Sequence, residues 1–206
     1  MPGRDAADEI RTRWIQQEHW IGYTSSMDIR NRLRDLLDGP VLSRPRNLAL
    51  IGKPHSGKSK LLTKFCEDHN PRVDEASDTT ALPVLMIDTP ASPGEGRLYH
   101  ALLHKLGMSG PAREPVDVMK ARLLKLLEDL DVEIIVLDEF NRASKGAGLA
   151  SMLNAIRGIG NELKISFVLA GTDEVLSVLT TDDQMASRFP PVFTHKWEDD
   201  KETRDF

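Results

Sequence analysis

The sequence contains one cysteine, Cys66, in 206 residues. That excludes an internal disulfide and any metal site built from several cysteines. No apolar run approaches the roughly 20 residues needed to span a bilayer, so no membrane partner is expected. The N-terminus, MPGRDAADEIRTRW, lacks the apolar stretch of a secretory signal. These absences point to a cytoplasmic protein. Internal repeats and low-complexity segments are absent as well. So is an excess of basic charge: the net charge of −5 argues against a surface coated for nucleic acid. The charge is unevenly spread, however. Residues 1–64 hold 12 Lys/Arg against 7 Asp/Glu, while residues 65–206 hold 15 against 25. Attraction to phosphate depends on local clustering, so the basic first third is either a phosphate-facing region or a solvated helix face.

What is present suits one soluble domain with short appendages. The apolar share is 40% and the charged share 29%, and the length allows a sizeable core. Residues 1–40 read as an N-terminal helical arm, 41–197 as the core and 198–206 as an acidic tail. Within the arm, 5–20 is charged and helical. The segment 25–38 starts with a Ser cap and sets Met27, Ile29, Leu33, Leu36 and Leu37 near one face. Gly39-Pro40 ends it. The core then repeats strand, loop, helix. NLALIG, LPVLMID (82–88), EIIVLDE (133–139) and ISFVLAG (165–171) are buried strands, and VFTHKW (192–197) is a fifth. Helices fall at 97–107, 114–130, 147–163, from Thr172 to about Leu179, and at 182–187. Apolar strands alternating with helices predict an α/β, three-layer αβα fold with a central, mostly parallel, five-stranded sheet.

Gly52-Lys53-Pro54-His55-Ser56-Gly57-Lys58-Ser59 matches GxxxxGK[ST] completely, between a buried strand and a helix. Gly52 and Gly57 let the backbone wrap a phosphate chain. Successive N–H groups then form an anion nest beside a helix N-terminus. Lys58 reaches the β- and γ-phosphates, Ser59 takes one Mg²⁺ position, and Lys60 follows in the first helical turn. His55 occupies a variable position and faces solvent or a neighbouring chain. The expected ligands are therefore ATP and Mg²⁺.

The strand segment IIVLDE ends in Asp138 and Glu139 about 80 residues after this loop. The carboxyl end of an open α/β sheet is where ligands bind. Asp138 is expected to hold Mg²⁺, and Glu139 to polarise the water that attacks the γ-phosphate. Thr172, at the tip of the next strand, is either a hydroxyl sensor of that phosphate or the N-cap of the following helix. Arg188, in ASRFPP, either reaches the γ-phosphate of a neighbouring subunit or forms a salt bridge within its own chain.

These residues resemble a known group. WIGYTSSMDIRNRLRDLLDGP, NLALIGKPHSGKSKLLTKF, IIVLDEFNR, LNAIRGIGNELKISFVLAGTDEVL and MASRFPP are similar to the TniB/TnsC transposition ATPases, from about Trp14 to Trp197. The resemblance implies a P-loop NTPase of the ASCE/AAA+ type, an ATPase that oligomerises on double-stranded DNA as a ring or filament. It implies a transposase and a TniQ-like target-selection protein as partners. By family position Gly52–Ser59 is the nucleotide loop, Asp138 and Glu139 the Walker B pair, Thr172 the first sensor and Arg188 the arginine finger. DNA contacts fall on Arg97, Arg113 and Lys120, with Glu95 and Glu114 interspersed. The helical lid that normally follows such a core is missing, because the sequence stops about nine residues after its last strand. Either 206 is a truncation point or this copy lacks the lid. Three other readings stay open: a helicase-loader or initiator ATPase of the same superfamily, a small-molecule kinase on the same loop, and a nucleotide-gated adaptor with little turnover.

Overall fold

The computed structural model describes residues 24–40, 42–69, 72–74, 79–108, 110–111, 113–181 and 183–194. The expected N-terminal helix over 5–20, Trp14, Trp20, Tyr23 and the acidic tail lie outside these residues.

Helix α1 spans Thr24–Leu37. Ile29 and Leu33 are buried one turn apart, and Leu36 and Leu37 pack beside them. Met27 departs from the expected face, because it is two residues before Ile29, on the outer side of the helix, and is 48% exposed. Strand β1 (Leu48–Ile51) is fully buried and runs through the loop into helix α2 (Lys58–Asp68). A small antiparallel hairpin follows, β2 (Arg72–Asp74) with β3 (Thr79–Ala81). It is an element that the hydrophobic pattern does not announce. Then come β4 (Val84–Asp88), α3 (Glu95–Lys105), α4 (Val116–Asp129), β5 (Ile134–Asp138) and a 3-10 turn over Phe140–Ala143. The described residues close with α5 (Leu149–Leu163), β6 (Ser166–Gly171), α6 (Glu174–Thr180), α7 (Asp183–Ala186) and β7 (Pro191–Phe193). The expected strand VFTHKW is therefore shorter and begins one residue earlier; 195–197 lie outside the described residues.

The main sheet has the order β4-β5-β6-β1-β7, and every pairing in it is parallel. The three central strands are buried along their whole length, as continuous apolar runs in a parallel sheet should be. The period-two alternation then divides their side chains between two layers. Leu48, Leu50, Ile134, Val136, Val168 and Ala170 meet α1 and α2 on one face. Ala49, Ile51, Ile135, Leu137, Phe167 and Leu169 meet α3, α4, α5 and α6 on the other. Cys66 is half-buried on α2 beside Met86, and burial pushes its thiol up to about 11, the profile of a packing residue.

One consequence of the strand order governs the site. β6 lies between β1 and β5, so the chain enters the phosphate loop two strands away from the paired acids, with the β6 tip between them.

Candidate phosphate and carboxylate site

The phosphate loop is shaped by two glycines with different duties. Gly57 has φ 82°, and an added Cβ would meet nothing within 4 Å, so it is required for conformation. Gly52 has no such φ. A Cβ there would collide with the Thr194 hydroxyl and lie 2.7 Å from Ser56 Oγ, so it is required for space. His55 also takes a left-handed turn, φ 61°. Lys53, Pro54 and His55 are exposed at the crest, as are Ser59 and Lys60 on the first turn of α2, while Ser56 and Lys58 are buried. The loop is tied at its start by the Gly52 amide, which donates to Gly171 O at 3.0 Å.

Lys58 is 6% exposed. Its ammonium donates to Gly52 O at 2.9 Å and Lys53 O at 2.8 Å, and its remaining approach, to Ser56 Oγ, is 3.4 Å. Two protons therefore brace the loop, and the third has only a weak acceptor. Burial lowers the pKa of Lys58. Glu139, Asp138 and Asp173 partly restore it in that order. The loop lysine and the acids of two other strand tips thus share one electrostatic site. Asp173 has no motif of its own.

Asp138 is 2% exposed and ends β5. Its Oδ1 accepts the Glu139 amide at 2.8 Å. Its carbonyl is held by Thr89, through N–H at 2.8 Å and Oγ1 at 2.6 Å, which fastens the tip of β4 to the tip of β5. Glu139 is exposed and sits at φ 52°, ψ 40°. That left-handed conformation costs a non-glycine residue about 1 kcal/mol and turns the side chain out of the strand direction. Asn141 Nδ2 lies 3.4 Å from Glu139 Oε2. The amide oxygen of Asn141, Oδ1, is buried without a partner, 2.6 Å from where a Cβ on Gly171 would sit.

Thr172 is half-buried at the tip of β6. Its carbonyl accepts the Val175 amide at 2.9 Å; the N-cap position of α6 is Asp173, and no side chain caps the helix. The capping role is therefore not taken up. Arg188 lies at the opposite end of the strands. It lines a groove of about 400 Å³ with Asn47, which precedes β1, and Pro190, which precedes β7. Its guanidinium donates to Asn161 Oδ1 at 3.0 Å. Arg97 and Arg113 are exposed, whereas Lys120 pairs with Glu162 at 3.4 Å. Glu95 accepts Tyr99 OH at 2.8 Å and Glu114 pairs with Arg122 at 2.7 Å.

Asn141, Thr89, Asp173 and Thr194 are site residues that sequence reasoning missed. Asn141 follows the acids closely enough to be found by proximity. The others depend on which strand lies next to which.

Among the described residues no three or more His, Cys, Asp or Glu side chains cluster as a metal cage. Ser59 and Asp138 instead offer two hard oxygen donors, the set that suits Mg²⁺ held partly by phosphate and water.

The fold is that of the P-loop AAA+ proteins. The Aeropyrum pernix ORC2 protein matches with a TM-score of 0.63 at 17% identity, over 86% of this chain and 48% of that one. The Aeropyrum pernix ORC1 protein in complex with DNA matches with a TM-score of 0.59 at 22% identity, over 84% and 45%. The GTPase Der of Corynebacterium glutamicum is 27% identical over 121 residues, 47% of this chain and 23% of that protein. The chain thus spans about half of the first two proteins and under a quarter of the third. A family model described as Bacterial TniB protein matches residues 11–199.

Proposed function

The chain belongs to the bacterial TniB family, and on that basis we propose that it is an ATP-hydrolysing, DNA-binding regulator of transposition. It binds ATP, assembles with further copies on duplex DNA, and recruits a transposase to target sites in concert with a TniQ-like partner. The observation that carries the enzymatic half is the shared site of Lys58, Asp138 and Glu139. Inward amides of the loop and the third proton of Lys58 receive the triphosphate. Ser59 and Asp138 are the residues that would hold Mg²⁺, which when bound offsets the negative charge of the phosphates. Glu139, turned out of its strand, accepts a proton from the attacking water, and Asn141 steadies its carboxylate. Thr172 reads the γ-phosphate from the strand between loop and acids. Arg188, facing away from its own loop, serves the nucleotide of a neighbouring copy. Arg97 and Arg113 are the DNA phosphate contacts that stand ready; Lys120 would first have to release Glu162.

The test is a mobility shift of random-sequence duplex with ATP or a non-hydrolysable analogue, across a salt series. Backbone contacts without base readout predict a steep, linear fall of log affinity with log salt. Absence of any nucleotide-dependent shift counts against the reading. GTP run in competition tests the nucleotide, since a GTPase is among the similar proteins. The fold likeness to the ORC proteins favours a second reading, an initiator-type or helicase-loading ATPase. Co-purification with a helicase rather than a transposase would select it.

A further inference from the structure

We propose that Thr194 is a positioning residue of the phosphate loop, a hydroxyl brought from the last strand to fix the loop's first residue and its central serine. The inference rests on the nucleotide-binding reading above. Ile51 pairs with Phe193 at the end of the parallel β1–β7 ladder. One residue further, the Thr194 amide donates to Ile51 O at 2.8 Å. The ladder therefore continues just past the point where β1 becomes the phosphate loop. The Thr194 hydroxyl then lies over Gly52, in the space that a Cβ at residue 52 would occupy. It is 3.0 Å from Ser56 Oγ and 3.4 Å from Ile51 O. Ser56 is only 7% exposed and is the weak third acceptor of Lys58. Thr194, Ser56 and Lys58 thus form a polar chain from the sheet edge to the phosphate-binding ammonium.

The geometry assigns this chain a task distinct from catalysis. Glu139 and Asp138 arrive on β5, two strands from β1 and three from β7, and no hydrogen bond of Thr194 reaches them. Fixing Ser56 and the backbone at Gly52 keeps the loop amides converged before the triphosphate enters, which lowers the ordering cost of binding. Without the Thr194 hydroxyl, Ser56 is left desolvated with one poor partner, and the loop relaxes to satisfy it.

The experiment uses the full chain. Thr194→Val keeps shape and removes the hydroxyl; Thr194→Ser keeps it. Fluorescent-ATP binding, steady-state ATPase activity and thermal melting are measured for both, with Lys58→Ala alongside. One lost hydrogen bond to a buried group predicts a roughly 5–10-fold rise in Kd and KM for Thr194→Val. The expected kcat stays within about twofold of wild type, and Thr194→Ser restores KM. A KM unchanged in Thr194→Val, a fall confined to kcat, or a Thr194→Ser variant no better than Thr194→Val overturns the proposal. If Thr194→Val melts early, the comparison moves to Ser56→Ala, which must raise KM in the same way; an unchanged KM there is equally fatal. Failure of the underlying reading has a different signature, in which wild type binds no triphosphate or Lys58→Ala binds as wild type does; either result removes this proposal with it.

Discussion

The two rims of the sheet are built on opposite plans. At the carboxyl rim each functional group is held by another: Lys58 by two carbonyls, Asp138 by Thr89 and by the Glu139 amide, Gly52 by Thr194. At the amino rim Arg188 lines an open groove with Arg32, Asp35, Arg44 and Arg46, and its guanidinium donates to the neutral amide of Asn161. On the proposed reading the first rim is preorganised for a ligand of its own chain. The second gathers four arginines around an open groove that Asp35 also lines. On the proposed reading a complete reaction centre needs one rim from each of two copies, so neither copy alone is the catalytic unit.

That contrast can be broken by mixing. Arg188→Ala and Glu139→Gln are each expected to lower DNA-stimulated ATPase activity on the order of 10³-fold, with ATP affinity of the unassembled chain unchanged. Combined in one tube they should recover a substantial share of wild-type activity, since wild-type rims then meet across some interfaces. Recovery no better than the sum of the two would place Arg188 and Glu139 in one chain's site and end the two-rim account.

The glycines sharpen the same contrast within the loop. Gly52→Ala should destabilise the fold by about 2 kcal/mol or more, because Thr194 must move to admit the methyl group. Gly57→Ala should cost about 1 kcal/mol of backbone strain without a clash. Chemical denaturation measures both. Equal losses would show that close packing by Thr194 is not what Gly52 serves.

The smallest effect concerns pH. Burial holds Lys58 below the ordinary lysine range and Asp173 is one of three acids opposing that shift. ATP binding needs the ammonium form, so affinity should fall as pH rises, and should begin to fall before an ordinary lysine titrates. Removing one opposing acid with Asp173→Asn should move that alkaline limb further down. A limb displaced upward, or unmoved, would put Asp173 outside the electrostatic site.

The fold was largely legible because its signals are local. A buried strand breaking into Gly52, and IIVLD breaking into Asp138 and Glu139, carry their own context within a dozen residues. What escaped depends on register between distant segments. Thr194 meets Ser56 across 138 residues of sequence, and Thr89 meets Asp138 across 49. No periodicity in either segment encodes its neighbour. The hairpin of β2 and β3 escaped for another reason, since three-residue strands are too short to show alternation. Met27 stays exposed because a leucine-rich helix offers more apolar positions than one stripe can bury.

Glu139 keeps a carboxylate on a backbone turn better suited to glycine. On the proposed reading, directed evolution toward heat tolerance alone would therefore be rewarded for erasing it, and the most robust descendants of this chain would be the inert ones.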